Sequence, residues 1–187
     1  MHADPPVVRS PASVNLFFAL SPDAATRKAI AAAAETLRTE FDPPGRWLKP
    51  ARYHLTLQFL GSFTQAPADL VARAVAAASQ VSLPAFDVVL DVVGSFGASG
   101  MPVWIGCRET PPALLRLHDE LGIALARLGC RPHGPSRLVP HVTVLRDAKR
   151  ALRRPLAAAI PWRVDEFVLI ESRTPDPYRT VGRWSLA

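Results

Sequence analysis

His54-Leu55-Thr56-Leu57 and His141-Val142-Thr143-Val144 are the two short stretches on which the reading of this chain turns. Both have the form His-x-Thr-x, with aliphatic residues between and after the polar pair. In a β-strand successive side chains point to opposite faces. His54 and Thr56 then share one face while Leu55 and Leu57 bury the other, and the same parity puts His141 and Thr143 above Val142 and Val144. One such tetrapeptide is ordinary in an amphipathic strand, where a half-buried histidine simply finds a hydrogen-bond partner. With nine threonines and five histidines in 187 residues, two histidines each followed by a threonine two positions on arise by chance at about the 2 % level.

The flanks of the two stretches are alike. Val14 to Leu20 reads as a buried strand, and Ser21-Pro22 supplies an N-cap and a first-turn proline for a helix carrying Ile30, Ala34, Leu37 and Phe41. Asp42-Pro43-Pro44-Gly45 breaks that pattern before the alternating run from His54 to Leu60, which closes at Gly61. In the second half, Val103 to Cys107 reads as a strand. Thr110-Pro111 opens a helix with Leu114, Leu117, Leu121, Ala124 and Leu128, Gly129 stops it, and His141 to Leu145 is again a strand. The spacing is 39 residues from Asn15 to His54 and 38 from Val103 to His141, which indicates a duplicated half. Each half is expected to continue with a helix and a strand: Pro67 to Gln80 then Phe86 to Val93, and Ala148 to Ala159 then Trp162 to Ile170. Thr180 to Leu186 adds a last strand. The expected fold is α/β (α+β): residues 1–12 a loose tail, and residues 13–187 one domain of two pseudo-symmetric lobes, with two antiparallel-type sheets facing a central cleft and helices outside.

Composition narrows the partners without naming one. A formal charge of +6 and a pI near 10.1 suit a polyanion. Of the 22 cationic residues 19 are arginine, whose planar fork fits phosphate, although genomic composition produces the same bias. Cys107 and Cys130 form neither a disulfide framework nor a zinc signature. The early apolar run is too short to span a membrane and lacks a signal-peptide layout. A cytoplasmic monomer with no membrane contact, no metal and no cofactor is the expectation.

Imidazole titrates near pH 6.5, so one histidine can accept a proton at neutral pH while a second, charged one donates. Phosphodiester cleavage needs both acts, on opposite sides of phosphorus. Thr56 and Thr143 can donate to the non-bridging oxygens as charge shifts in the transition state.

The pair of motifs, together with NLFFAL near the start, FLGSF after the first motif, PHVTVLR at the second and YRTVGRW near the end, resembles the 2H phosphoesterase superfamily, and within it the RNA 2′,3′-cyclic phosphodiesterases long called 2′-5′ RNA ligases. The resemblance runs from Asn15 to Leu186. It implies a bilobal pseudo-twofold fold and metal-independent opening of 2′,3′-cyclic phosphate ends of RNA to 2′-phosphates, with weak 2′-5′ ligation where a 5′-hydroxyl end attacks the cyclic phosphate in place of water. His54 and His141 carry over as catalytic, Thr56 and Thr143 as phosphate-binding, and Arg146 as a phosphate contact. The position matching Arg146 in the first half is Phe59. By strict alternation Arg146 points away from His141, so its role requires the strand to bulge or end near Leu145. Asn15 stands where the family often has a basic residue. The resemblance favours His54 as the acid and His141 as the base, and the near-symmetry of the motifs leaves that assignment open.

His118 reads as a surface or boundary residue of a helix, and His133 and His2 as loop and tail. Lys49, Arg52, Arg131 and Arg137 are candidates to track an RNA backbone, though any one suits a solvated loop. Trp47, Tyr53 and Phe18 are stacking candidates for which core packing is the stronger reading. Three rival readings remain open at this stage: a basic RNA-binding module without turnover, a phosphodiesterase for a small cyclic nucleotide or metabolite, and a metal site using both histidines, which lacks a nearby carboxylate at ligand spacing.

Overall fold

The computed structural model describes residues 13–41, 43–97, 101–133 and 137–187; the expected tail, 1–12, lies outside them. In chain order the elements are β1 (Val14–Leu20), α1 (Ala24–Phe41), β2 (Arg46–Trp47), a 3-10 turn (Pro50–Arg52), β3 (Leu55–Phe63), α2 (Ala68–Ala78), β4 (Phe86–Ser95), β5 (Met101–Gly106), α3 (Pro112–Arg127), β6 (His141–Ala148), β7 (Arg154–Val164), β8 (Glu166–Arg173) and β9 (Arg179–Ser185).

The strands pair antiparallel in the order β7-β4-β5-β6-β3-β1-β8-β9, with β2 on β6. The two expected sheets are thus two four-stranded halves of one ladder. Among the described residues they meet at a single residue pair, Leu55 with Val142. Beyond it β6 changes partner: Arg46 and Trp47 of β2 pair with Arg146 and Leu145, and Leu48 N–H donates to the Val144 carbonyl at 2.9 Å. β3 and β6 therefore part just after they meet.

Each half takes a strand from the other end of the chain. β4 follows the first motif in sequence yet pairs with β5, and β8 follows the second motif yet pairs with β1. Counted outward from the joint, β3-β1-β8-β9 matches β6-β5-β4-β7, which is the pseudo-twofold relation expected from the spacing. Leu16, Phe18 and Leu20 of β1 enter the main core with α1's Ile30 and Leu37 and α3's Leu114, Leu117 and Leu121. Phe17 and Ala19 point the other way, into a smaller cluster with Val168 and Ile170, against which Phe59 and Tyr178 pack.

Three local expectations need correction. Residues 148–159 are not a helix: β6 runs to Ala148 and the alanine run lies in β7. Pro155 would remove a hydrogen bond from the middle of such a helix. As an edge strand with β4 alone for a partner, β7 tolerates Pro155 and Pro161 opposite Val92 and Val89. The expected strand 162–170 divides at Asp165 between β7 and β8. The cap of α1 is Asp23 rather than Ser21. Its carboxylate accepts from the Ala25 and Thr26 amides at 2.7 and 3.0 Å and from Thr26 Oγ1 at 2.6 Å, contacts that hold its pKa below the usual carboxylate range. No helix among the described residues is long and apolar enough to cross a membrane.

Leu55 is fully buried at the joint. Leu55→Ala is expected to cost about 2–5 kcal/mol in urea unfolding, against within about 0.5 kcal/mol for Ala158→Ser on the exposed edge strand.

Candidate active site

The joint between the halves gathers the motif residues. Continuing the antiparallel register by one residue either side of Leu55 and Val142 sets His54 across from Thr143, and Thr56 across from His141. Leu55 and Val142 are fully buried on one face. The two histidines and two threonines, all half-buried, share the other face.

Both imidazoles are tethered alike. Nδ1 of His54 lies 2.8 Å from the Arg52 carbonyl, and Nδ1 of His141 lies 2.7 Å from the Val139 carbonyl. A carbonyl only accepts, so each Nδ1 carries its proton and donates. That leaves each Nε2 without a hydrogen in the neutral ring, able to take a proton and, once charged, to give one. Aromatic rings fix the planes: Phe17 lies 4.9 Å from His54 and Tyr178 5.4 Å, edge-on at 81°, while Phe96 lies 4.8 Å from His141, edge-on at 85°, and Trp104 6.0 Å.

Both strands bulge after the threonine. In β6, Thr143 pairs with Trp104 and Leu145 with Val103, so Val144 is skipped. In β3, Thr56 pairs with Ala19 and Gln58 with Phe18, so Leu57 is skipped. Val144 and Leu145 are consecutively buried, as are Leu57 and Gln58, and the parity flips. Arg146 and Phe59 thereby return to the face that carries the histidines. The bulge near Leu145 that a site role for Arg146 demands is present. Arg146 lies beside Thr143 in a hollow with Pro102 and Asp147, and its charge reaches His54. The neighbouring Arg46 is instead paired with Asp147 at 3.7 Å.

Phe59, at the matching position, faces a cavity of about 500 Å³ that also meets Thr56, His141, Phe96, His133 and Arg137. His118 and His133, set apart from the site in the sequence, lie on this cavity's wall. The cleft is therefore cationic on the Arg146 side and mostly apolar on the Phe59 side. Phe18 and Tyr53 are buried in the core and present no stacking face. Trp47 packs partly buried against the core. Tyr178, by contrast, was not singled out in the sequence. Its hydroxyl lies 3.3 Å from His54 Nδ1, and its one local signal is membership of the YRTVGRW stretch.

Burial pushes the His54 pKa down to about 4, helped by the charges of His141, Arg146 and Arg52 and opposed by its bond to the Arg52 carbonyl. Burial also lowers His141, against its bond to the Val139 carbonyl. Both titrate below 6.5 in the free protein, so both are neutral at pH 7, and an anion in the cleft favours protonation.

A model of the 2′-5′ RNA ligase superfamily matches residues 26–176. The chain belongs to this superfamily. It is 34% identical over 178 residues to the RNA 2′,3′-cyclic phosphodiesterase of Escherichia coli (strain K12), covering 91% of this chain and 96% of that one. An RNA 2′,3′-cyclic phosphodiesterase of Aquifex aeolicus (strain VF5) is 34% identical over 125 residues, 65% of this chain and 66% of that one. Among solved structures, E. coli LigT complexed with 3′-AMP superposes with a TM-score of 0.76 at 30% identity, covering 94% of this chain and 99% of that one.

The free-enzyme pKa values set the sign of the pH dependence. kcat/KM reports the unliganded pair, so its maximum on a phosphodiester substrate is expected below pH 6.5, with that of kcat at higher pH because the bound anion raises both histidines. Rate profiles under both conditions check this; a kcat/KM maximum above pH 7 contradicts it.

Proposed function

We propose that the chain hydrolyses 2′,3′-cyclic phosphate ends of RNA to 2′-phosphates by metal-independent acid–base catalysis between His54 and His141. The observation that carries the reading is the Leu55–Val142 pairing, which sets both imidazoles and both threonine hydroxyls on one face. The names of its relatives support the substrate class. Water attacks phosphorus and the bond to the 3′-oxygen breaks. One Nε2 takes the proton of the water while the other, protonated, gives its proton to the leaving oxygen, and solvent exchange resets the pair. Thr56, Thr143 and Arg146 hold the non-bridging oxygens, where a preorganised donor or cation acts most strongly as charge shifts. The apolar cavity at Phe59 accommodates the nucleoside that carries the phosphate. A 5′-hydroxyl of RNA in place of water gives a 2′-5′ linkage, the weak ligation that this site also supports.

Incubation with a short RNA bearing a 2′,3′-cyclic phosphate, in chelator, followed by mapping of the product, tests the reading. A 2′-phosphate product is expected; a 3′-phosphate product overturns the orientation, and binding without turnover favours an RNA-binding module. Faster turnover of a 2′,3′-cyclic mononucleotide than of the RNA points to a small-molecule substrate. Each of His54→Ala and His141→Ala should lose roughly two to four orders of magnitude in rate.

Arg146→Ala and Phe59→Leu separate the two flanks of the cleft. The first removes a cation from the phosphate side and is expected to lower kcat/KM about ten- to a thousandfold, whereas the second leaves kcat nearly unchanged. Equal losses of kcat in folded protein argue against a special role for Arg146.

A further inference from the structure

The pseudo-twofold relation supplies each histidine with an edge-on aromatic ring from an equivalent place. Phe96 follows β4 and Tyr178 follows β8, the third strands outward from the joint. The two rings meet His141 and His54 at 85° and 81°. They differ by one hydroxyl, and that hydroxyl lies at 3.3 Å from His54 Nδ1. Because Nδ1–H already donates to the Arg52 carbonyl, the phenol oxygen takes the second arm of a forked bond. Burial raises the Tyr178 pKa above its usual 10, so the group is a neutral phenol at working pH.

Arg52 braces this tyrosine. Its guanidinium sits 4.5 Å from the ring centroid, and the same group donates to the Pro175 and Asp176 carbonyls at 3.3 and 2.6 Å and to Ser172 Oγ at 3.3 Å. The residue that supplies the main-chain acceptor for His54 also clamps the turn that brings the hydroxyl. His141 has no such partner among the described residues, since Phe96 and Trp104 are its ring neighbours.

We infer that Tyr178 is a positioning residue for His54, held by Arg52, and that its hydroxyl makes the two otherwise equivalent histidines chemically unequal. The inference rests on the proposed acid–base pair for its kinetic consequence but not for its spectroscopic one. An oxygen accepting from Nδ1–H favours the imidazolium, so the hydroxyl lifts His54 against the burial that lowers it. The other charged or titratable groups facing His54 are Arg52 on the 3-10 turn and His141 and Arg146 on β6, all of which lower it; β1 contributes only Phe17.

Tyr178→Phe keeps the ring and removes the oxygen. NMR titration of the His54 ring, assigned by its loss in His54→Gln, should show the midpoint falling by about half a pH unit, with His141 unmoved. Arg52→Lys keeps a charge but loses the fork, and should shift His54 in the same direction in an otherwise native background, adding nothing in the Tyr178→Phe background. In the pH profile of kcat/KM, the limb owned by His54 moves to lower pH and the other stays: the acid limb if His54 is the base, the alkaline limb if it is the acid. An unmoved His54 titration in Tyr178→Phe, equal movement of both histidines, or an Arg52→Lys effect undiminished in the double variant would overturn the inference. A shifted His54 titration in a protein without turnover would sink the proposed function and leave the inference standing.

Discussion

The backbone pairing of Leu55 with Val142 is the constraint from which the rest of the molecule follows. Among the described residues it is the sole register pair between the two four-stranded halves, and both side chains are fully buried in the common core. Because strand parity is fixed by which face is buried, sinking Leu55 and Val142 leaves His54, Thr56, His141 and Thr143 no direction but the cleft. The crossed arrangement, each histidine opposite the other strand's threonine, comes from the antiparallel sense of that pair. The opening of the cleft comes from β2, which replaces β3 as the partner of β6 directly afterwards.

A site built by near-twofold duplication starts with two equal halves, and chemistry on a phosphodiester needs unequal ones. The inequality is layered. Bulges at the same position of both strands bring residues 59 and 146 back to the cleft, one apolar and one cationic. The rings beside the histidines differ by a hydroxyl, and the charges of Arg146 and Arg52 act on His54 in addition to its burial. Each difference is a single side chain placed on a symmetric backbone, which keeps the tether of both imidazoles through Nδ1 while distinguishing their surroundings.

How far this was legible in the sequence depends on whether the determining contact is local. The face shared by histidine and threonine is a matter of period-two alternation, and it could be read from four residues. Even the bulge was implied, because Arg146 fails strict alternation. The exchange of β4 and β8 between the halves could not be read, since it is a pairing across most of the chain with no signal in either strand. The alanine run of β7 has high intrinsic helix propensity, yet Pro155 is better placed in an edge strand, which accepts what a helix interior does not. Tyr178 escaped because its partner lies 124 positions away in sequence. Phe18 and Tyr53 are core residues, the stronger of the two readings open to them in the sequence, in line with the large area that an aromatic ring buries in a core.

The central claim is that the two imidazoles act together across one phosphorus, and a double-mutant cycle on His54 and His141 measures it most directly. With folding verified for each variant, turnover of a 2′,3′-cyclic phosphate RNA by the His54→Ala/His141→Ala protein is expected to be little below that of either single variant, because losing one partner already disables the concerted transfer. A double loss equal to the product of the two single losses would mean that the histidines act independently and would contradict the account.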